Sequence, residues 1–342
     1  MTYFKRYFTY RLRTTAFRTL ILSVIAAVLS NVITSAAFST NGRESGIGTV
    51  SIFIGIIAVL VPMLEIHQLS QRRTLDLVFA LPVTKTQLAL AHFLSGLCQY
   101  AAISTVAYLA SIVAIASKNP ILVGRGNTPY NIAWTIPFFL LSLLGGVVVY
   151  SVVTFLFSQG NTSADGMVFA FGAPGGFLLL CWYFEDMLSG YHALHNRIEG
   201  ELMEIANIFV FITEPYSYYQ PLIEPYASSY GGINSMSLIA CFLWGLLGIA
   251  SFIGFIYHVK NYRAEKAGGI SDSFFGYRVL IPLYGCLLIA MNGNNIDLTV
   301  LSVLLVAMAV MYFVYRRSFK IKYADIACIV FAFLMVFTEG IL

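Results

Sequence analysis

The residues best suited to chemistry are few and lie outside the apolar runs. His192, His195 and Glu199 are spaced i, i+3 and i+7, one face of a helix, and could together hold a metal ion on an external segment. With Glu201 they could instead serve as external acid and base groups acting on lipid. Neither set comes with a supporting motif. There is no phosphate-cradling G-x-x-x-x-G-K-[ST], no H-E-x-x-H and no G-x-S-x-G, so the chain is expected to carry no catalytic site and no cofactor of its own. Cys98, Cys181, Cys241, Cys286 and Cys328 form no CxxC or Cys/His cluster and read as small hydrophobes in apolar surroundings.

The elements that would position these groups follow from composition. Of 342 residues, 58% are hydrophobic and 11% charged, against about 25% charged in a soluble domain. Mean hydropathy is +0.79. These values exclude a soluble or disordered chain, and several apolar runs approach the ~20 residues that cross a bilayer as a helix. The fold class expected is an all-α polytopic membrane protein of nine spans. They run at Leu20–Phe38, Gly48–Leu64, Leu88–Ser117, Asn131–Phe157, Ala164–Phe184, Ser235–Tyr257, Val279–Met291, Leu298–Tyr315 and Ala324–Ile341. The first 19 residues mix aromatics with Lys5, Arg6, Arg11, Arg13 and Arg18 and read as an interfacial amphipathic helix. That basic stretch is too long and too aromatic for a cleaved signal peptide, although Ser35-Ala36-Ala37 resembles a cleavage site.

Charge fixes the expected orientation. With a cytoplasmic N-terminus, sixteen of the 20 Lys and Arg fall inside and ten of the 16 acids outside. The expected partner is the lipid bilayer, and no nucleic acid is expected. Glu65, Asp165, Asp325 and Glu339 fall near span ends, where snorkelling and water are expected to make them tolerable. No acid sits mid-span, which argues against an ion-coupled carrier.

Between spans two and three, Leu69, Leu75, Leu77, Val78 and Leu81 alternate with polar residues at near-helical spacing until Pro82, predicting a short amphipathic helix over 67–82. Thr84-Lys85-Thr86 then offers a cap for span three. Read from its pattern alone, this is a loop anchored to headgroups through Arg72, Arg73 and Lys85.

An acid ending span two, followed by Arg72, Arg73, Thr74, Leu75, Asp76, Leu77, Ala80, Leu81, Pro82, Val83, Thr84, Lys85 and Leu88, resembles the ABC-2 permease family. The basic aromatic N-terminus, the acidic external segment 185–234 and Tyr262-Arg-Ala-Glu-Lys-Ala-Gly268 are similar to features of the same family. The resemblance covers about residues 1–260, a six-span core spanning 20–260 after the N-terminal helix. The remaining 261–342, a cytoplasmic linker and three further spans, departs from it. The resemblance implies that the helix at 67–82 couples to a separate ATP-binding cassette subunit that carries ATP and Mg, through Arg72, Arg73, Thr74, Leu75, Asp76, Leu77, Leu81, Pro82 and Lys85. It also implies a second permease, identical or homologous, export as the direction of transport, and a bacterial cytoplasmic membrane as the location. The few charges in the spans suggest an apolar or amphipathic cargo such as a peptide, lipid or drug.

Two further segments bear on a transport path. Ile198–Thr213 places apolar residues on one face of an amphipathic helix, and the following Pro- and Tyr-rich stretch suits the interface. Glu199, Leu202, Ile205, Phe209, Pro215 and Tyr216 are therefore candidates for an external gate, or for a packed cap. Pro174, Gly175 and Gly176 within span five are expected to break the helix, lining a path or making a plain kink. Gly145 and Gly146 offer close helix contact. Alternative readings are a sensor or scaffold that binds a cationic peptide at its external loop, and a polytopic lipid-modifying enzyme.

Overall fold

The computed structural model describes residues 2–40, 46–70, 82–124, 129–189, 201–223, 235–263, 265, 267–269, 271, 273–291, 298–316 and 321–336. Among them the regular structure is helical, and six helices are long and apolar enough to cross a membrane. Three shorter apolar helices accompany them. The chain is a multi-pass helical membrane protein by length and composition. It divides into two compact units, one of Met1–Gln68, Leu77–Phe155 and Ile208–Asn261, the other of Leu69–Asp76, Leu156–Asn207 and Tyr262–Leu342.

In the first unit, α1 (Thr2–Thr40) is a single helix of 39 residues. The basic N-terminal stretch is thus no separate interfacial helix but the leading half of the first long helix. At 1.5 Å per residue α1 is about 58 Å long, well beyond the ~30 Å of bilayer hydrocarbon. Arg11, expected to face headgroups, is instead only 6% exposed against protein. The other members are α2 (Gly46–Ile66), continued by a 3₁₀ turn at His67–Ser70, then α3 (Lys85–Gly124) and α4 (Thr135–Ser158).

The contacts between α1 and α3 advance together, from Tyr7 with His92 to Thr34 with Ser111, so these helices are parallel. α2 runs antiparallel to both, with Glu65 beside Arg11 and Thr49 beside Thr34. In the apolar stretch the adhesive is small hydroxyl and amide groups. The Ser30 hydroxyl donates to the Ala107 carbonyl at 2.9 Å and pairs with Ser111, and the Asn31 amide donates to the Ala110 carbonyl at 3.1 Å. Such bonds hold helices together where lipid tails compete for every apolar face.

Two pieces stand where one external helix was expected at 198–213. α5 (Ser163–Ser189) and α6 (Glu201–Ala206) belong to the second unit; α7 (Val210–Ile223) belongs to the first, with α8 (Ser235–Asn261). α7 stays helical through Pro215 and Pro221 and buries Val210, Ile212 and Ile223. Its Phe211 backbone lies so close to α4 that a Cβ on Gly145 would stand 2.4 Å from the Phe211 carbonyl oxygen. The glycines read as packing residues thus serve that purpose.

α9 (Tyr277–Met291), α10 (Leu298–Arg316) and α11 (Tyr323–Val336) complete the second unit. Tyr183, Cys286, Leu287 and Ala332 form its buried apolar cluster. The expected break at Pro174 is absent: α5 runs unbroken through it. The neighbouring glycines instead admit α9. A Cβ on Gly175 would be 2.9 Å from the Tyr284 hydroxyl, which donates to the Gly172 carbonyl at 2.9 Å. The turn at 159–161 is bound to the chain after α8. Ser271 donates to the Gln159 carbonyl at 2.6 Å and Gly268, at φ +82°, donates its N–H to the Asn161 carbonyl at 2.9 Å. That left-handed backbone favours glycine.

Candidate functional site

The densest polar site of the first unit gathers around Glu65, in the last turn of α2. Its side chain is fully buried, against the expectation of a snorkelling or hydrated carboxylate. One carboxylate oxygen, Oε1, accepts from the Arg11 guanidinium, and Oε2 accepts from Arg18 at 2.6 Å and from the Gln99 amide at 3.1 Å. Arg18 also donates to the Gln99 Oε1 at 2.7 Å and to the Leu64 carbonyl at 3.2 Å, and Arg11 donates to Gln68. His92 presents Nδ1 to Oε1 at 3.4 Å, while its Nε2 lies 3.1 Å from the Tyr7 hydroxyl. The direction of the Tyr7–His92 hydrogen bond follows the ring tautomer, and a proton on Nδ1 would face the carboxylate.

The local sequence makes this arrangement possible. Arg11 and Arg18 are seven residues apart on α1, and His92 and Gln99 seven apart on α3, so each pair shares one helix face. The C-terminal turn of α2 adds the negative end of its dipole and unpaired carbonyls, which favour guanidinium groups. Gly96 leaves room: a Cβ there would be 3.3 Å from the Glu65 Cγ and 2.2 Å from the Tyr150 hydroxyl. Both oxygens of Glu65 are occupied by protein donors, leaving no lone pair turned outward for substrate. The site binds α1, α2 and α3 into one rigid body. Charge does not balance within it, since two guanidinium groups share one carboxylate among the described residues.

α3 begins beside this knot with the expected cap. The Thr84 hydroxyl accepts from the Gln87 N–H, and the Gln87 side chain accepts from the Thr84 N–H, each at 3.3 Å. This reciprocal pair satisfies two of the helix's orphan donors.

The other sequence-derived candidates fare differently. Arg72, Arg73, Thr74, Leu75, Asp76, Leu77 and Leu81 lie outside the described residues, as do His192, His195 and Glu199. Pro82 is exposed and Lys85 half-buried at the start of α3. Leu202 and Ile205 are half-buried on α6, and Phe209, Pro215 and Tyr216 are half-buried in the other unit, so the helix expected at 198–213 is not continuous. Among the described residues no group of three His, Cys, Asp or Glu could hold a metal ion.

A second buried acid, Asp325 at the start of α11, is also more deeply placed than expected. Its side chain is fully buried, 3.0 Å from the Arg278 Nε, and it accepts from the Lys322 N–H at 3.0 Å. Asp165, at the start of α5, accepts from the Tyr277 hydroxyl at 2.7 Å. All three acids are thus anchored by protein partners. Sequence reading missed Arg11, Arg18, His92 and Gln99 as a set. The available signal was the matched seven-residue spacing on two helices flanking an acid that had to be neutralised.

Comparison of the chain with protein-family models, curated proteins and solved structures gives no match.

Proposed function

We propose that this chain is the membrane-spanning permease subunit of an ATP-driven exporter of the ABC-2 type. The single observation that carries the reading is the Glu65 knot at the loop that bears the coupling-like motif. α2 ends at Ile66 and α3 begins at Lys85, so the chain enters and leaves Arg72-Arg73-Thr74-Leu75-Asp76-Leu77 from two helices that are locked together. The two helices that flank this loop in sequence are thereby tied to each other and to α1. The full nine-span topology with a cytoplasmic N-terminus belongs to this proposal, on the strength of its one-sided Lys and Arg distribution.

In this reading a separate ATP-binding cassette subunit docks at Arg72–Leu81, and closure of that subunit on ATP moves the three-helix body. A path then opens beside a second permease, toward the outer leaflet. The scarcity of charge in the spans favours an apolar or amphipathic cargo. The test is affinity purification of the full chain in mild detergent, with mass spectrometry and ATPase assay of the eluate. A stoichiometric P-loop subunit with ATP turnover is expected, and Arg72→Glu with Arg73→Glu should strip it away. Co-purification and turnover unaltered by both charge reversals would overturn the docking assignment; a chain that elutes alone and hydrolyses nothing would overturn the exporter.

A further inference from the structure

A groove of about 690 Å³ runs between α1 and α3 on the outside of the first unit. On α1 it is lined by Leu12, Ala16, Leu20 and Val28, and on α3 by Cys98, Ala102 and Val106. From Leu12 to Val28 it extends about 24 Å at 1.5 Å per residue. Its walls are apolar apart from Thr15, Thr19, Ser23 and Gln99. Three of these, Thr15, Thr19 and Gln99, lie in the half nearer the N-terminus of α1, whereas the far end is bounded by Val24, Ala27, Val28 and Val106. Thr15 and Gln99 are buried and spend their hydrogen bonds within the protein, so the groove is an apolar slot along its length, suited to an acyl chain, and a head group would be held by the charges at its N-terminal end.

The charge at the end nearer the α1 N-terminus has one sign. Lys5, Arg6 and Arg13 are exposed; Arg13 follows the first lining residue, Leu12, and Lys5 and Arg6 lie about two turns before it. Behind the wall at Gln99 sits the Glu65 knot, where two guanidinium groups share one carboxylate and Arg18 keeps 28% of its side chain exposed. This excess of positive charge argues against a second copy of the chain in the groove, since a two-fold pairing along α1 would bring the same cations together.

We propose that the groove holds one anionic phospholipid of the leaflet on the α1 N-terminal side. An acyl chain would lie along Ala16–Val28 and the phosphate at the level of Leu12 and Arg13, with Lys5 and Arg6 about two turns nearer the N-terminus adding counter-charge. The assignment does not depend on the exporter reading.

A test uses the full chain in nanodiscs with one reporter tryptophan at the groove rim, Leu20→Trp, after Trp134→Phe, Trp182→Phe and Trp244→Phe. Quenching is compared between brominated phosphatidylglycerol and brominated phosphatidylcholine at equal mole fraction. The anionic lipid is expected to be preferred at least about fivefold, the equivalent of one cation's ~1 kcal/mol at a charged surface. Neutralising Lys5→Gln, Arg6→Gln and Arg13→Gln should bring the ratio to about one. Filling the groove with Ala102→Phe should abolish the preference while leaving the cations in place; Ala16→Phe, on the opposite wall, serves if that variant fails to fold. Equal quenching by both lipids, a preference that survives groove filling, or protection from both lipids by a second copy would each overturn the proposal.

Discussion

Glu65→Gln tests whether the buried knot is held by charge. The substitution keeps the shape of the side chain but leaves Arg11, 6% exposed, and Arg18 facing one another without a carboxylate. For the Arg18 contact at 2.6 Å, the gross Coulomb attraction at an effective dielectric of 20 is about 6 kcal/mol, most of which offsets the desolvation of both ions. Removing one partner exposes that penalty, and the expected loss is about 3–5 kcal/mol of unfolding free energy. Arg11→Met should cost less, about 1.5–3 kcal/mol, because Glu65 then remains paired with Arg18 and the site becomes neutral. Replacing the ions together, with Arg11→Met, Arg18→Leu and Glu65→Leu, should recover much of the Glu65→Gln loss, since no uncompensated charge remains. The assay is SDS-driven unfolding of the full chain in mixed micelles, followed by far-UV circular dichroism. A Glu65→Gln variant within about 0.5 kcal/mol of the parent, or one milder than Arg11→Met, would refute the reasoning.

Two further outcomes follow from packing and burial. Gly145→Ala and Gly146→Ala should each lose about 1–3 kcal/mol in the same assay, because the new Cβ would lie 2.4 Å from the Phe211 carbonyl oxygen and 1.8 Å from the Tyr100 hydroxyl. Gly245→Ala, whose Cβ would meet Phe211 at an ordinary 3.5 Å, should be neutral or stabilising by up to about 1 kcal/mol. Asp325→Ala should destabilise by about 3–5 kcal/mol by leaving Arg278 beside a buried vacancy and uncapping Lys322 at the start of α11; an unchanged midpoint would show that the pair is solvated.

What the sequence made legible, and what it hid, divides along the range of the forces involved. Helix positions were readable because a bilayer demands long apolar runs, and the α3 cap because Thr84 and Gln87 are neighbours in sequence. The small residues Gly145 and Gly146 signalled a close approach without naming Phe211 or Tyr100 as what approaches. Local rules misled where tertiary contacts outweigh them. Pro174 read as a breaker, yet α5 continues through it, with Tyr284 donating to the Gly172 carbonyl. Arg11 and Arg18 read as headgroup anchors because a basic, aromatic start is a common interfacial signature. Their true partner stands 54 and 47 residues away, beyond any local pattern.

The position of the knot constrains how any motion could begin. A salt-bridged carboxylate at the end of α2 is more than a brace, because it joins helices that enter the apolar layer in alternating directions at one common level. If only α2 were fixed to α3, a push on the connecting loop could be absorbed by α1 sliding past them. Arg11 and Arg18 grip Glu65 from positions about two turns apart on α1, so sliding by one turn would break both contacts at once. Farther along, the Ser30, Asn31 and Thr34 bonds to α3 repeat the constraint about 18 Å deeper, twelve residues at 1.5 Å each. Two anchor points that far apart resist tilting as well as translation. Movement of this unit is therefore expected to be that of one three-helix body, with bending concentrated where the chain leaves it rather than inside it.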